Sequence, residues 1–175
     1  KEFSKYKYLI DDAFKSPNLD FFELVYDTYK IRMLESEKIF TDILSKPFDF
    51  TKDEVCECDF EALDYVKTKS ELHDRWRKLL KIYVIENYHN EIEDDLRKSK
   101  EDPDFILRKP GLIEKKTRES LNETMQQNYN FISKEMQRSD WFSVYINSFV
   151  SQYDPNTSYL DPESKDRFDV DMSGN

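Results

Sequence analysis

The sequence predicts an all-α fold, an irregular multi-helix bundle, and three observations carry that expectation. Glycine is almost absent: Gly111 and Gly174 are the only two in 175 residues, whereas sandwiches and barrels spend glycine and proline on many tight turns. Leu, Glu, Lys and Arg, all good helix formers, are abundant. Apolar residues recur three and four positions apart over long stretches, the period of one helical face. Thirteen phenylalanines and eleven tyrosines argue against disorder, because disordered chains are poor in aromatics. A globular chain of this length buries roughly 70% of its extended-chain surface, enough for a core without disulfides or metals.

Each element follows from the same spacing. Phe3, Tyr6, Ile10 and Phe14 predict a helix over residues 3–14, broken at Ser16-Pro17-Asn18. A longer helix is predicted over residues 20–44, with Asp20 as its N-cap and a stripe of Phe22, Val25, Tyr29, Met33, Phe40, Ile43 and Leu44. Pro47 closes it. Between 48 and 69 the period is lost, and Phe48, Phe50, Val55, Phe60 and Tyr65 are scattered among acids. That pattern predicts an extended connecting segment that wraps the bundle as a packed loop.

Ser70, followed by His73 and Asp74, opens a long third helix with Leu72, Trp76, Leu79, Leu80, Tyr83, Val84, Tyr88, Ile92 and Leu96 on one face. A fourth follows Pro110 and carries Ile113, Leu121, Met125, Ile132 and Met136. A fifth starts at Ser139 and carries Trp141, Phe142, Tyr145, Ile146, Phe149 and Val150. The chain then turns through two Asp-Pro dipeptides and ends in a short amphipathic stretch over residues 168–172. The expected division is a helical bundle over 1–153 and, over 154–175, a turn-rich exit made of a turn and a short helix. Asp20-Phe21-Phe22 and Asp140-Trp141-Phe142 look alike, but one isolated echo is not a repeat array.

Several function classes are excluded. Neither GxGxxG nor GxxxxGK[ST] occurs, so the chain has no loop to cradle a nucleotide phosphate. The net charge is −10, and nucleic-acid binders need clustered cations to neutralise phosphates. No run of 18 apolar residues offers a membrane span, and no signal-peptide pattern is visible. The only cysteines, Cys56 and Cys58, flank Glu57. A bridge between them would be strained, and a C-x-C pair without further ligands is a weak metal signal. Two unpaired thiols in a half-buried segment are expected, and they leave the compartment open.

No catalytic constellation emerges from the remaining motifs. Glu86 and His89 form one Glu-x-x-His pair on a helical face, but a di-iron bundle needs two such pairs and two further glutamates. Asp154-Pro155-Asn156-Thr157-Ser158 starts like a calcium loop, yet Tyr159 stands where glycine is needed and Lys165 where the bidentate glutamate belongs. A turn with Asx-type hydrogen bonds is expected there instead. Ser158 has no histidine near it in sequence, and Lys165, seven residues on, is not aimed at it by helical spacing. The acidic run Glu91-Ile92-Glu93-Asp94-Asp95 reads as a solvated helix face.

Two stretches carry a family likeness. One is Tyr153-Asp154-Pro155-Asn156-Thr157-Ser158-Tyr159-Leu160, preceded by a helix from Trp141 and followed by Phe168, Met172 and Ser173. The other is Phe48-Asp49-Phe50-Thr51-Lys52-Asp53-Glu54, followed by Leu72, Trp76, Arg77, Lys78, Leu79 and Leu80. In this order they resemble the N-terminal helical domain of tail-specific proteases, the C-terminal processing serine peptidases. The resemblance spans residues 3–174 and is most specific over 154–160.

It implies a non-catalytic scaffold that shapes substrate access and can dock an adaptor protein. It also implies a PDZ domain and a peptidase core beyond Asn175, with a Ser-Lys dyad in that core. The parent enzyme would be an exported bacterial one, usually periplasmic, acting on proteins with apolar C-termini. No catalytic, cofactor-binding or metal residue is carried over to this chain. Tyr153, Asp154, Pro155, Tyr159 and Leu160 are the expected interdomain anchors, with Tyr159 and Leu160 packing the exit onto the helices. The alternative is a stand-alone helical protein-binding module.

Overall fold

A computed structural model describes residues 3–9, 18–59, 61 and 63–174. Among them the fold is all-α, with five α-helices and no strand. The expected first helix is, where described, a 3-10 turn over Phe3–Tyr6. Its other two stripe positions, Ile10 and Phe14, lie outside the described residues.

Helix α1 spans Asp20–Leu44. Asp20 is its first helical residue and not its cap, because the Glu23 amide already donates to the Leu19 carbonyl at 2.8 Å. Asn18 does the local capping work, accepting the Asp20 amide on Oδ1 at 2.7 Å. Asp20 and Glu23 then place negative charge in the first turn, where the helix dipole favours it.

Helix α2 spans Lys69–Glu101 and starts one residue earlier than Ser70 suggests. Thr68 caps it, its hydroxyl accepting the Glu71 amide at 3.1 Å. Helix α3 spans Pro110–Asn130, with proline in the first turn, where a missing N–H costs nothing. It gives way to a π-helical turn over Phe131–Glu135, so Ile132 and Met136 leave the α3 stripe. Helix α4 spans Arg138–Tyr153, opened by an Asp140 carboxylate that accepts the Gln137 amide at 2.7 Å.

Helix α5 spans Pro162–Ser173 and is longer than the amphipathic stretch predicted at its end. Asp161 caps it through the Ser164 amide at 3.0 Å and Pro162 occupies its first turn. Gly174 ends it at φ +70°, a left-handed conformation that glycine adopts without a Cβ penalty.

The helices form two units. One comprises Lys1–Met33 and Asn130–Asn175, the other Leu34–Tyr129. The core of the first is aromatic: Phe22 is 2% exposed, with the Phe142 and Tyr145 rings each 5.3 Å away and Tyr26 stacked at 5.8 Å. Tyr29 packs on Trp141 at 4.5 Å, and Phe3 and Tyr6 cover Phe21. The Arg138 guanidinium lies over Phe22 and pairs with Glu23.

The second unit buries Phe40, Ile43, Leu44, Leu80, Val84, Ile113 and Tyr129. It also buries Lys81, Asp95, Glu114, Thr117 and Arg118. The predicted α2 face is therefore too broad. Leu80 and Val84 are fully enclosed, but Tyr83 and Leu96 are exposed, because charged side chains occupy part of the inward surface.

Candidate functional site

The exit from α4 is built by side chains that hold the backbone. Asp154 is the helix C-cap, its amide donating to Val150 at 3.1 Å. Its carboxylate then folds the next residues, accepting the Asn156 amide at 2.9 Å and the Thr157 hydroxyl at 2.5 Å. These bonds, the Thr157 hydroxyl foremost, hold the Asp154 carboxyl below the usual carboxylate range. The Thr157 amide closes the turn on the Asp154 carbonyl at 3.1 Å. Pro155 sits at the second turn position, where its fixed φ suits a type I geometry.

Asn147, in the middle of α4, takes hold of the chain after the turn. Its Oδ1 accepts the Tyr159 amide at 2.6 Å and its Nδ2 donates to the Tyr159 carbonyl at 3.0 Å. The Tyr159 ring meets Phe142 edge-on at 5.9 Å. Both backbone groups of one residue are thus satisfied by a single amide, which fixes the position and direction of the chain entering α5. The expected anchors divide accordingly. Asp154 and Pro155 make the turn and Tyr159 sits in the Asn147 clamp, whereas Tyr153 is 91% and Leu160 40% exposed. Asn147 went unread in the sequence. Its signal was an amide inside an otherwise apolar helical face, an unfavourable place unless the side chain bonds to backbone.

The other built feature is the segment joining α1 to α2, which lies as a strap over α2 and α3. Glu54 receives both branches of the Arg77 guanidinium and the Lys81 ammonium, the latter at 2.8 Å. Lys81 also donates to the Lys52 carbonyl at 3.1 Å. The Phe48 amide donates to Glu114 at 3.1 Å, and Arg118 joins Glu114 at 3.0 Å to the Leu44 carbonyl at 2.6 Å. Arg75 holds the Asp64 carbonyl at 2.9 Å, and Phe50 rests on Tyr88 at 5.5 Å. A comparable pair fixes the α2–α3 connection, where Arg108 forks onto the buried Asp95 and reaches Glu91 at 2.7 Å.

The residues of the Glu-x-x-His pair lie on a solvated helix surface. His89 faces Glu93 at 3.2 Å and Glu86 is exposed. His73 lies 3.5 Å from Asp42. Among the described residues no group of three or more His, Cys, Asp or Glu could hold a metal ion. Lys165 is paired with Asp169, which raises its pKa, opposite to what a lysine general base requires. Cys56 is half-buried and Cys58 exposed, and both are free. No helix among the described residues is long and apolar enough to cross a membrane.

Compared with known families, the chain matches the model described as tail specific protease N-terminal domain over residues 1–163. The match takes in the strap, the turn and the Asn147 clamp, and it ends as α5 begins.

Proposed function

The chain belongs to the tail-specific protease N-terminal domain family, and on that premise we propose that it is the non-catalytic helical scaffold of a C-terminal processing serine endopeptidase. The domain shapes access of protein substrates with apolar C-termini to a peptidase core in the same polypeptide, and its outer surface docks an adaptor. The Ser-Lys dyad belongs to that core. A PDZ domain captures the substrate C-terminus, and the parent enzyme works in an exported bacterial compartment.

The observation that supports this reading is the Asn147 clamp on Tyr159. A scaffold must hand the chain to its neighbour in a fixed direction, and the clamp, the Asp154-Pro155 turn and the capped start of α5 do this in succession. Phe168 and Met172, one helical turn apart and both exposed on α5, are the contact surface assigned to the domain that follows.

Two measurements test the proposal. The purified chain, incubated with peptides ending in apolar residues, produces no cleavage. Turnover above buffer, in a preparation free of host proteases, refutes the non-catalytic role. In the complete polypeptide, Asn147→Leu slows degradation of a folded substrate by about tenfold, the worth of two lost hydrogen bonds. Cleavage of a short unstructured peptide, which needs no guided access, stays unchanged. Equal losses on both substrates would show that the exit segment serves the peptidase core itself and not access to it.

A further inference from the structure

The strap carries the chain's two cysteines with only Glu57 between them. Neither lies in a helix or strand, so the local backbone can bend without breaking regular structure. The sulfurs lie against the intervening peptide carbonyls: Cys56 Sγ is 3.8 Å from the Glu57 oxygen and Cys58 Sγ is 3.9 Å from the Cys56 oxygen. In an extended chain, residues two apart share a face and their Cα atoms are separated by roughly 6.6 Å. Disulfides span Cα separations up to about 6.8 Å, so bridging this pair requires a local bend and no rearrangement of helices.

The two thiols also differ in a way that suits sequential chemistry. Cys58 is exposed, while Cys56 is half-buried in the grooves between the strap and α2, both of which are lined by Lys78. Burial, and after it the contact with Cys58, hold the Cys56 thiol above its ordinary pKa, and the nearby Lys78 offsets this only in part.

We infer that Cys56 and Cys58 form a reversible dithiol–disulfide site, oxidised by small-molecule disulfides of the glutathione class. The exposed Cys58 thiolate attacks one sulfur of the oxidant and releases the first glutathione as a thiol. Cys56, giving its proton to solvent, then attacks the Cys58 sulfur of the mixed disulfide and expels the second glutathione. The two cysteines lose two electrons and two protons, and one glutathione disulfide becomes two thiols. The closed ring is small and strained, which makes the bond easily reduced and places it among labile disulfides. It also lies two residues from Glu54, the ionic anchor of the strap.

The test uses the intact chain, reduced and then equilibrated in glutathione buffers of increasing oxidised fraction, acid-quenched, alkylated and weighed. The expected product has lost two hydrogens, carries alkyl groups on neither cysteine, and returns to a doubly alkylated form after dithiothreitol. Cys56→Ser stops at a stable glutathione adduct on Cys58, and Cys58→Ser reacts more slowly than the parent. Two glutathione adducts per chain, disulfide-linked dimers, or two thiols still alkylated at the most oxidising ratio would each overturn the assignment.

Discussion

At the scale of single residues, Glu54 is the side chain on which the strap depends. The Arg77 hydrogen bonds, followed by those of Lys81, hold its carboxyl far below the ordinary range, and Arg77 is raised in return. An unfolded glutamate titrates near 4.3, so the folded pKa is the depressed one. Its stabilising contribution is fully present above roughly pH 5 and declines as pH falls toward the folded value, because unfolding then takes up a proton that the folded state refuses. Glu54→Gln is therefore expected to lower the urea midpoint at pH 7, with the gap to the parent narrowing steadily down to pH 3. A gap independent of pH would mean that the carboxylate acts by shape and not by charge. Asp95, held down by Arg108, and Glu91, held down by Lys116 and Arg108, give the variant an acid sensitivity of its own. The comparison must therefore be made as a difference.

At the scale of elements, the junction of α1, the strap and α3 rests on Arg118. The last carbonyls of a helix have no partner within it, and Arg118 supplies one to Leu44 while pairing with Glu114. Arg118→Met keeps the length of the side chain but strands a buried carboxylate and a helix-end carbonyl. The expected cost is about 3 kcal/mol, read from denaturant unfolding. Arg118→Lys recovers only part of it, since one ammonium cannot reproduce the guanidinium fork; full recovery by lysine would rule out the two-partner role. The same junction marks where the sequence stops being legible. The extent of α1 could be read closely, because its apolar stripe returns after a polar step at Ser36 and Glu37 and Pro47 follows its end, although Asp20 is its first residue and not its cap. The Asp154 turn could be read from Asp-Pro chemistry alone. Glu54, Glu114 and Asp95 could not, because acids are spread along the whole chain and only tertiary placement pairs these three with Arg77, Arg118 and Arg108. Period places Tyr83 and Leu96 inward, but period cannot tell that charged side chains such as Lys81 and Asp95 take up part of that surface. The short helix expected in the exit begins ahead of its amphipathic stretch at 168–172, because Asp161-Pro162, which also has the form of a turn, serves as an N-cap followed by proline at the first helical position.

At the scale of the molecule, each of the two units has its own core, and the two cores differ in kind. One is a set of interlocking rings around Phe22; the other is aliphatic and aromatic, crossed by paired charges. Each core is assembled from contacts inside its own unit, so opening of one is expected to leave the other protected, as in proteins whose cooperative units open separately. Phe22→Ala tests this at one residue. Removing a fully buried phenylalanine costs about 3–5 kcal/mol, and the Phe142, Tyr145 and Arg138 contacts go with it. Amide exchange should accelerate by at least a hundredfold along α4 and the first turns of α1, while the amides of Leu80, Val84 and Ile113 keep their protection. The mirror variant Leu80→Ala, at a cost of about 2–5 kcal/mol, should release the second unit and spare α4. Equal acceleration everywhere in either variant would mean a single cooperative unit.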